Sequence, residues 1–287
     1  MKFRIGATLK DIKFDTTPST ARSLSYDTFQ VFLGSAMRIY CTPKTEKVLI
    51  GFRDELRKNH VTVVIHGSYT INLCHPESNP KHNKSITALV SLLKQVEVIG
   101  KRCMGVIIHM GHNMKENNTS IKESLKLYAE GLKKALRLAP GRSKIVLETG
   151  ASQGSEVGSR LEQLSEIYDY LDESEKNRVR FCIDSCHIWA SGYDIGSVSG
   201  VNDFFEQFDR LIGLSRIVCI HFNNSMNPLG SHVDRHADLS FGAIPEEGIR
   251  EIARYAKKLQ IALITETPLV NVTAEEELET MKGYVKD

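Results

Sequence analysis

Val179-Arg180-Phe181-Cys182-Ile183-Asp184-Ser185-Cys186-His187 contains the pattern on which the fold turns: a β-branched and aromatic run stops at a carboxylate, and an imidazole follows three positions later. The run reads as a short buried strand and the carboxylate as its end. Upstream and downstream the same signature returns as Ile65-His66, Ile108-His109, Leu147-Glu148, Ile220-His221 and Thr265-Glu266, with successive members 36 to 45 positions apart. Such an interval holds one strand and one helix.

Eight runs qualify as strands: Phe3–Ala7, Phe29–Leu33, Val61–Ile65, Gly105–Ile108, Lys144–Leu147, Val179–Ile183, Arg216–Ile220 and Ala262–Thr265. Between them apolar residues recur three and four apart, as in Ile86/Leu89/Val90/Leu93/Val96 and Ile121/Leu125/Tyr128/Leu132, the latter behind a capping box at Ser120 and Glu123. Val48/Phe52/Leu56, Leu161/Leu164/Tyr168/Leu171, Phe204/Phe208/Leu211 and Ile249/Ile252/Ala256 mark further helices. Strict alternation predicts the α/β class and a (β/α)8 TIM barrel, for which ~250 residues is typical. No Pro/Gly/Ser linker divides the chain, so residues 1–287 read as a single domain, with the polar stretches His75–Ser85 and Asn223–Pro245 as loops at the active-site face. A doubly wound open sheet is the structural alternative, but the glycine fingerprint expected after its first strand is missing.

Composition narrows the class. The 287 residues carry 37 Lys+Arg against 35 Asp+Glu, a formal charge of +2, with 41% hydrophobic and 25% charged residues. Disordered, collagen-like and membrane chains are excluded, and no basic tail announces a polyanion partner. Six scattered cysteines, Cys41, Cys74, Cys103, Cys182, Cys186 and Cys219, read as reduced and mostly buried thiols. Neither a signal peptide nor a run of ~20 apolar residues is seen. The expectation is a protein of the cytoplasm or another reducing compartment, with no membrane association.

In a parallel barrel the C-terminal ends of the strands share one face, where barrel enzymes carry their chemistry. His66, His109, Glu148, Asp184, His221 and Glu266 would therefore meet at one mouth. A single Asp or His after a strand is usually a helix cap or a hydrogen-bonded near-core group. Six in register would each need a separate partner, whereas a shared group of cations satisfies them together. His187 follows Asp184, and Asp234 and His236 stand two apart in the loop after the seventh strand, which brings the candidates to nine. A catalytic zinc takes about three protein ligands, so two or three metals are implied, and the mixed N/O set suits zinc or manganese better than calcium. Such sites suit phosphoester hydrolysis. His60 and His82 read as solvated, His75, His112 and His232 as surface groups or supports for ligands and substrate, and Cys182 and Cys186 as small buried hydrophobes.

His66-Gly67-Ser68-Tyr69-Thr70-Ile71-Asn72-Leu73, Glu148-Thr149-Gly150-Ala151-Ser152-Gln153-Gly154, Cys182–His187, Gly192-Tyr193-Asp194, His221-Phe222-Asn223 and Val233-Asp234-Arg235-His236 together resemble the endonuclease IV family of apurinic/apyrimidinic endonucleases, xylose-isomerase-like barrels. The resemblance implies a zinc-dependent hydrolase of base excision repair that cuts the phosphodiester 5′ to an abasic site and leaves a 3′-hydroxyl. It implies three zinc ions, with manganese acceptable at one site. His66, His109 and Glu148 would hold the first; Glu148 as a bridge, with Asp184, His221 and Glu266, the second; His187, Asp234 and His236 the third. The implied partner is double-stranded DNA containing an abasic site, bound by a monomer. Tyr69 matches a position that inserts into DNA, Arg38 lies within one position of another, and Arg235, Lys44, Lys81 and Lys84 are candidate phosphate contacts. Thr8 stands where the family usually has a histidine, Asn223-Asn224 replaces its Asn-Asp, and Val31–Tyr40 matches poorly; the ligand set is untouched. The competing reading is a single-metal sugar isomerase or epimerase on the same barrel, using Glu148, Asp184, His221 and Glu266 alone.

Overall fold

Strands β1 (Ile5–Thr8), β2 (Thr28–Phe32), β3 (Thr62–His66), β4 (Cys103–Ile108), β5 (Ile145–Glu148), β6 (Val179–Asp184) and β7 (Ile217–His221) are followed by the two-residue strands β8 (Asn224–Ser225) and β9 (His236–Ala237), and then by β10 (Ala262–Thr265). In this computed structural model, residues 3–40 and 42–286 are described; Met1, Lys2, Cys41 and Asp287 lie outside them, and with them the sixth of the cysteines expected to be buried. The eight longer strands close a barrel in the order β1-β10-β7-β6-β5-β4-β3-β2, every neighbour parallel. Gly6 pairs with Ile264 on one side and Thr28 on the other, so no edge is left and the open-sheet alternative falls. A Cβ on Gly6 would stand 1.8 Å from the Thr28 carbonyl oxygen; only glycine lets β1 and β2 approach this closely.

Period-two alternation, interrupted by register shifts where β4 meets β3 and β7 meets β6, sorts the strand residues between two cores. Val63, Ile65, Val106, Ile108, Ile145, Leu147, Phe181 and Ile183 face outward and pack with the helices in the large cluster. Val64, Ile107, Val146, Cys182, Cys219, Ala262 and Ile264 face the barrel axis and, with Val218, form a second, sealed cluster. Burying each of the valine, isoleucine, leucine and phenylalanine side chains contributes about 1.5–3 kcal/mol relative to leaving it in water. The same parity carries upward. His66 lies two residues beyond Val64, Glu148 beyond Val146, Asp184 beyond Cys182 and Glu266 beyond Ile264, so each points over the apolar axis.

The outer ring contains the expected helices at Glu46–Lys58, Pro80–Ile99, Ile121–Leu138, Leu161–Asp169, Val198–Leu211 and Glu246–Leu259. Ser120 and Glu123 form the capping box reciprocally. Helices at Thr17–Ser23 and Ala274–Lys286 and the short Ser185–Ala190 helix are additional. The stretch His75–Ser85 is a loop only as far as Asn79, whose side chain caps the helix beginning at Pro80; asparagine before proline is a helix start. That correction also buries His82, expected to be solvated: its Nδ1 lies 2.8 Å from the His75 carbonyl oxygen, under the first turn of this helix. The 223–245 stretch is held partly by the β8–β9 antiparallel pair. Among the described residues no helix is long and apolar enough to cross a membrane.

Candidate metal centre

Glu148 is the hub. Its Oε2 lies 3.3 Å from both His66 Nε2 and His109 Nε2, and its Oε1 lies 2.6 Å from His221 Nδ1. Register explains the convergence, because Asp184 pairs directly with His221, and Ile264, two residues before Glu266, pairs with His221 from the other side. Three donor groups result: His66/His109/Glu148, Glu148/Asp184/His221/Glu266 and His187/Asp234/His236, the donor atoms within each lying within 4.8 Å of one another. They are the nine residues singled out in the sequence. A further grouping brings Cys186 beside Asp184 and His236. Burial pushes the Cys186 thiol up to about 12, which keeps it a neutral thiol and matches its reading as a small buried hydrophobe.

The ring orientations are set from behind. His66 Nδ1 lies 2.7 Å from the Gly67 carbonyl oxygen and His187 Nδ1 lies 2.8 Å from that of Thr149. A carbonyl only accepts, so in both rings Nδ1 carries a proton and Nε2 is the nitrogen presented to the mouth. Asp184 spends one oxygen on the His187 amide, capping the Ser185–Ala190 helix, while the other accepts from Asn223 Nδ2 at 2.8 Å. Asn223 Oδ1 in turn accepts the Glu266 amide at 2.8 Å. One amide thus ties the ends of β6 and β10 across β7. Asp234 in the loop is anchored likewise, its amide donating to Gln153 Oε1 at 2.9 Å, and its Oδ1 lies 3.3 Å from His236 Nε2 without forming a hydrogen bond.

Electrostatically the cluster is frustrated without cations. Burial drives the His109 imidazole down to about 4. Burial also opposes charge on His187 and His221, but the surrounding carboxylates outweigh it and raise both well above the ordinary range, with His236 reaching about 9. Glu266 falls to about 2 because the charge of His221 overcomes burial, and Glu148 and Asp234 are held low by neighbouring imidazoles in the same way. Burial instead raises Asp184. Protons on imidazoles are compensating carboxylates that a divalent cation would compensate more fully. Two buried nitrogens make the point locally. His187 Nε2 and His236 Nε2 have no hydrogen-bond partner; His187 Nε2 is 3.2 Å from Asp234 Oδ2 but not aligned with it as a hydrogen bond. Orphaned buried groups cost about 1–3 kcal/mol each. Mixed N/O donors aimed at common points fit zinc or manganese, so the residues present suit the metal that the fold implies.

Above the donors is a cavity of about 200 Å³, reached past Tyr69, His112 and Gln153. Tyr69 is 44% exposed, with its ring edge-on to His66 and His109 at centroid distances of 5.4 and 5.1 Å; it stands at the mouth and not beneath the 75–85 loop. Burial and the carboxylates raise its phenol, which stays neutral. Arg38 is exposed and, with Lys84, edges a neighbouring cavity of about 540 Å³. Exposed Arg235 donates to the Asp234 carbonyl at 2.6 Å. Lys81 pairs with Glu116 at 3.3 Å, and Lys44 stacks its ammonium over Phe14. Of the remaining histidines, His75 is buried against Asn117 and Asn79, while His60 and His232 are exposed. Gln30 escaped the sequence reading. It is a fully buried amide on β2 in contact with both His221 and Glu266, and its one signal was a polar residue inside the run Phe29-Gln30-Val31-Phe32.

Known proteins share this fold. The family model described as a xylose isomerase-like TIM barrel matches residues 18–284. An Acanthamoeba polyphaga mimivirus protein carrying the name endonuclease 4 is 46% identical over 289 residues, covering 100% of this chain and 93% of that relative. The crystal structure of endonuclease IV from Thermus thermophilus superposes with a TM-score of 0.84 at 26% identity, covering 99% of each chain. A D-tagatose 3-epimerase-like protein shares the fold at a TM-score of 0.72 and 17% identity, over 100% of this chain and 97% of that one.

Proposed function

Because the chain belongs to the endonuclease IV family of xylose isomerase-like TIM barrels, we propose that it is a metal-dependent apurinic/apyrimidinic endodeoxyribonuclease, acting as a monomer on duplex DNA that contains an abasic site. The observation that carries this reading is the set of three donor groups sharing one mouth, two of them joined through Glu148. We assign zinc to all three, with manganese acceptable at one. The reaction adds water across the phosphodiester 5′ to the lesion, leaving a 3′-hydroxyl on one side and the 5′-phosphate of the baseless sugar on the other.

When bound, the cations supply Lewis acidity toward the phosphate and a water of lowered pKa. The chain's own residues build the frame. Glu148 bridges the first two groups with one oxygen toward His66 and His109 and the other toward His221. Asp184, His221 and Glu266 complete the second group. His187, Asp234 and His236 form the third, on the side of the mouth built by the 223–245 loop. The neutral Tyr69 phenol beside the mouth fills the gap left by a missing base, Arg38 inserts in the same way, and Arg235 meets the strand backbone. Extrusion costs least where pairing and stacking are already lost, so damage itself supplies selectivity. The net charge of +2 then matters little, since attraction for phosphate is local and arises at the metal centre. The reading extends to a reducing compartment that holds DNA, be it cytoplasm, nucleus or virion.

The test is incision of a duplex with one synthetic abasic site, run beside an undamaged duplex and with chelator. Nicking 5′ to the site, lost on chelation and absent from undamaged DNA, supports the proposal. Metal-loaded protein that leaves the abasic duplex whole and interconverts free ketoses transfers the assignment to a sugar epimerase, for which Glu148, Asp184, His221 and Glu266 suffice.

A further inference from the structure

We infer that Gln30 is a positioning residue for the donor group formed by Glu148, Asp184, His221 and Glu266, holding His221 with Nδ1 toward the carboxylates and fixing one oxygen of Glu266. The inference deepens the function proposed above and rests on its assignment of this group to a metal.

Gln30 is fully buried on β2, two residues before Phe32, on the face of the strand that looks into the barrel. Its amide offers two donor hydrogens and one acceptor oxygen, and all are used. Nε2 donates to Glu266 Oε1 and, at 3.1 Å, to Thr8 Oγ1; Thr8 Oγ1 itself lies 3.4 Å from Glu266 Oε1. Oε1 lies 2.8 Å from His221 Nε2. The direction of the amide is not arbitrary. A metal-binding carboxylate only accepts, so the NH2 end must face Glu266, and a flipped amide would set oxygen against oxygen. The oxygen end therefore faces His221, and Nε2 of that ring must carry a hydrogen. Nδ1 is then the nitrogen presented to the metal group, 2.6 Å from Glu148 Oε1 and 3.0 Å from Glu266 Oε2.

A leucine or methionine would fill the same space beside Val64, the register partner of Gln30 on β3, with no amide to satisfy. The polar group is instead matched to two ligands on two strands remote in sequence, with Thr8 on β1 closing the set. His66 and His187 receive the same service from backbone carbonyls; for His221 a side chain performs it. Outer partners of this kind, when removed, typically weaken metal binding by about 10–100-fold.

The experiment uses the zinc-loaded full chain. Long-range ¹H–¹⁵N correlation spectra of the wild type should show His221 protonated at Nε2; a ring protonated at Nδ1 overturns the inference without any variant. In Gln30→Leu, competition with a zinc chelator should show one zinc equivalent weakened by about 10–100-fold and the others held as before. Gln30→Glu keeps an acceptor for His221 but turns a carboxylate on Glu266, so it should keep the Nε2–H ring and still lose affinity. If Gln30→Leu fails to fold, Thr8→Val, which removes one partner of the amide, should weaken the same equivalent by a smaller factor. Unchanged affinity for every zinc equivalent in folded Gln30→Leu, or in Thr8→Val where that is the variant measured, overturns the inference. These readouts require no DNA, so an enzyme that fails to nick abasic duplex would sink the proposed activity and leave the assignment of Gln30 standing.

Discussion

Two layers of the barrel axis differ by two residues along each strand, and by almost everything else. The lower layer, with Val64, Ile107, Val146, Cys182 and Cys219, is apolar and sealed. The upper layer, with His66, Glu148, Asp184 and His221, is nearly as inaccessible, with exposures of 0–2%, yet consists of groups costly to bury. Two strand residues span about 6–7 Å. What makes the upper layer tolerable is convergence: each charged group has others of opposite demand within reach, and cations shared among them would complete the compensation. The lower layer gives up chemistry and provides a rigid floor, while the upper layer gives up stability and provides donors aimed at common points.

Disturbing the upper layer at its hub should have the largest effect on activity. Glu148→Ala removes the group common to two donor sets; incision of abasic duplex should fall by at least about 10²–10³-fold, the scale seen when one preorganised electrostatic contact is lost, and elemental analysis should show metal missing. Wild-type incision in this variant would refute the bridging role. The floor should respond in the opposite sense. Ile107→Ala should lower unfolding stability by about 2–5 kcal/mol, read by denaturant titration, while the metal content of the folded fraction stays unchanged. Loss of metal without loss of stability would mean that the layers are not divided in this way.

The layers also predict a pH profile that metal should reshape. In metal-free protein, His187, His221 and His236 have folded pKa values above the unfolded value of about 6.5, so their stabilisation is complete below that pH and drains away as pH rises through about 9 for His236. His109, lowered to about 4 by burial, works the other way and costs stability as pH falls from about 6.5 toward 4. Glu266, lowered to about 2, loses its contribution in more acidic solution still. Melting temperatures of chelated protein should therefore peak near pH 6.5, about the unfolded histidine value, and those of zinc-loaded protein should not decline toward pH 9, because the cation has replaced the protons. Identical profiles with and without zinc would contradict this. The smallest effect is expected at the rim. Tyr69→Ala should lower kcat/KM for abasic duplex by about tenfold, the scale of one lost stacking contact, with metal content untouched; Tyr69→Phe should stay near wild type, since the ring and not the hydroxyl fills the gap. Equal losses in the two variants would point to the hydroxyl instead.

The barrel was legible because each strand is a short β-branched run and the helices between them keep their 3.6-residue period. The metal set was legible for a related reason: in a parallel barrel, chain position at a strand end translates directly into position in space, so Glu148 and Asp184 could be brought together without coordinates. Asp234 and His236 showed themselves through spacing alone. Gln30 did not, since recognising it requires the register of β2 against β1 and β3 and the parity that points it at His221. His82 looks solvated in the sequence because the capping pair Asn79-Pro80 sits inside a polar stretch, and once the helix starts there the ring is carried inside. The Thr17–Ser23 helix, short and largely polar, lacks the apolar stripe that reveals its longer counterparts.

The central claim is that one mouth holds three cations through nine side chains, and elemental analysis of the purified full chain addresses it most directly. The account predicts about three zinc per chain, with one manganese in place of a zinc still in agreement. About one magnesium or manganese per chain and no zinc would contradict it, and would move the protein to the single-metal chemistry of a sugar isomerase or epimerase.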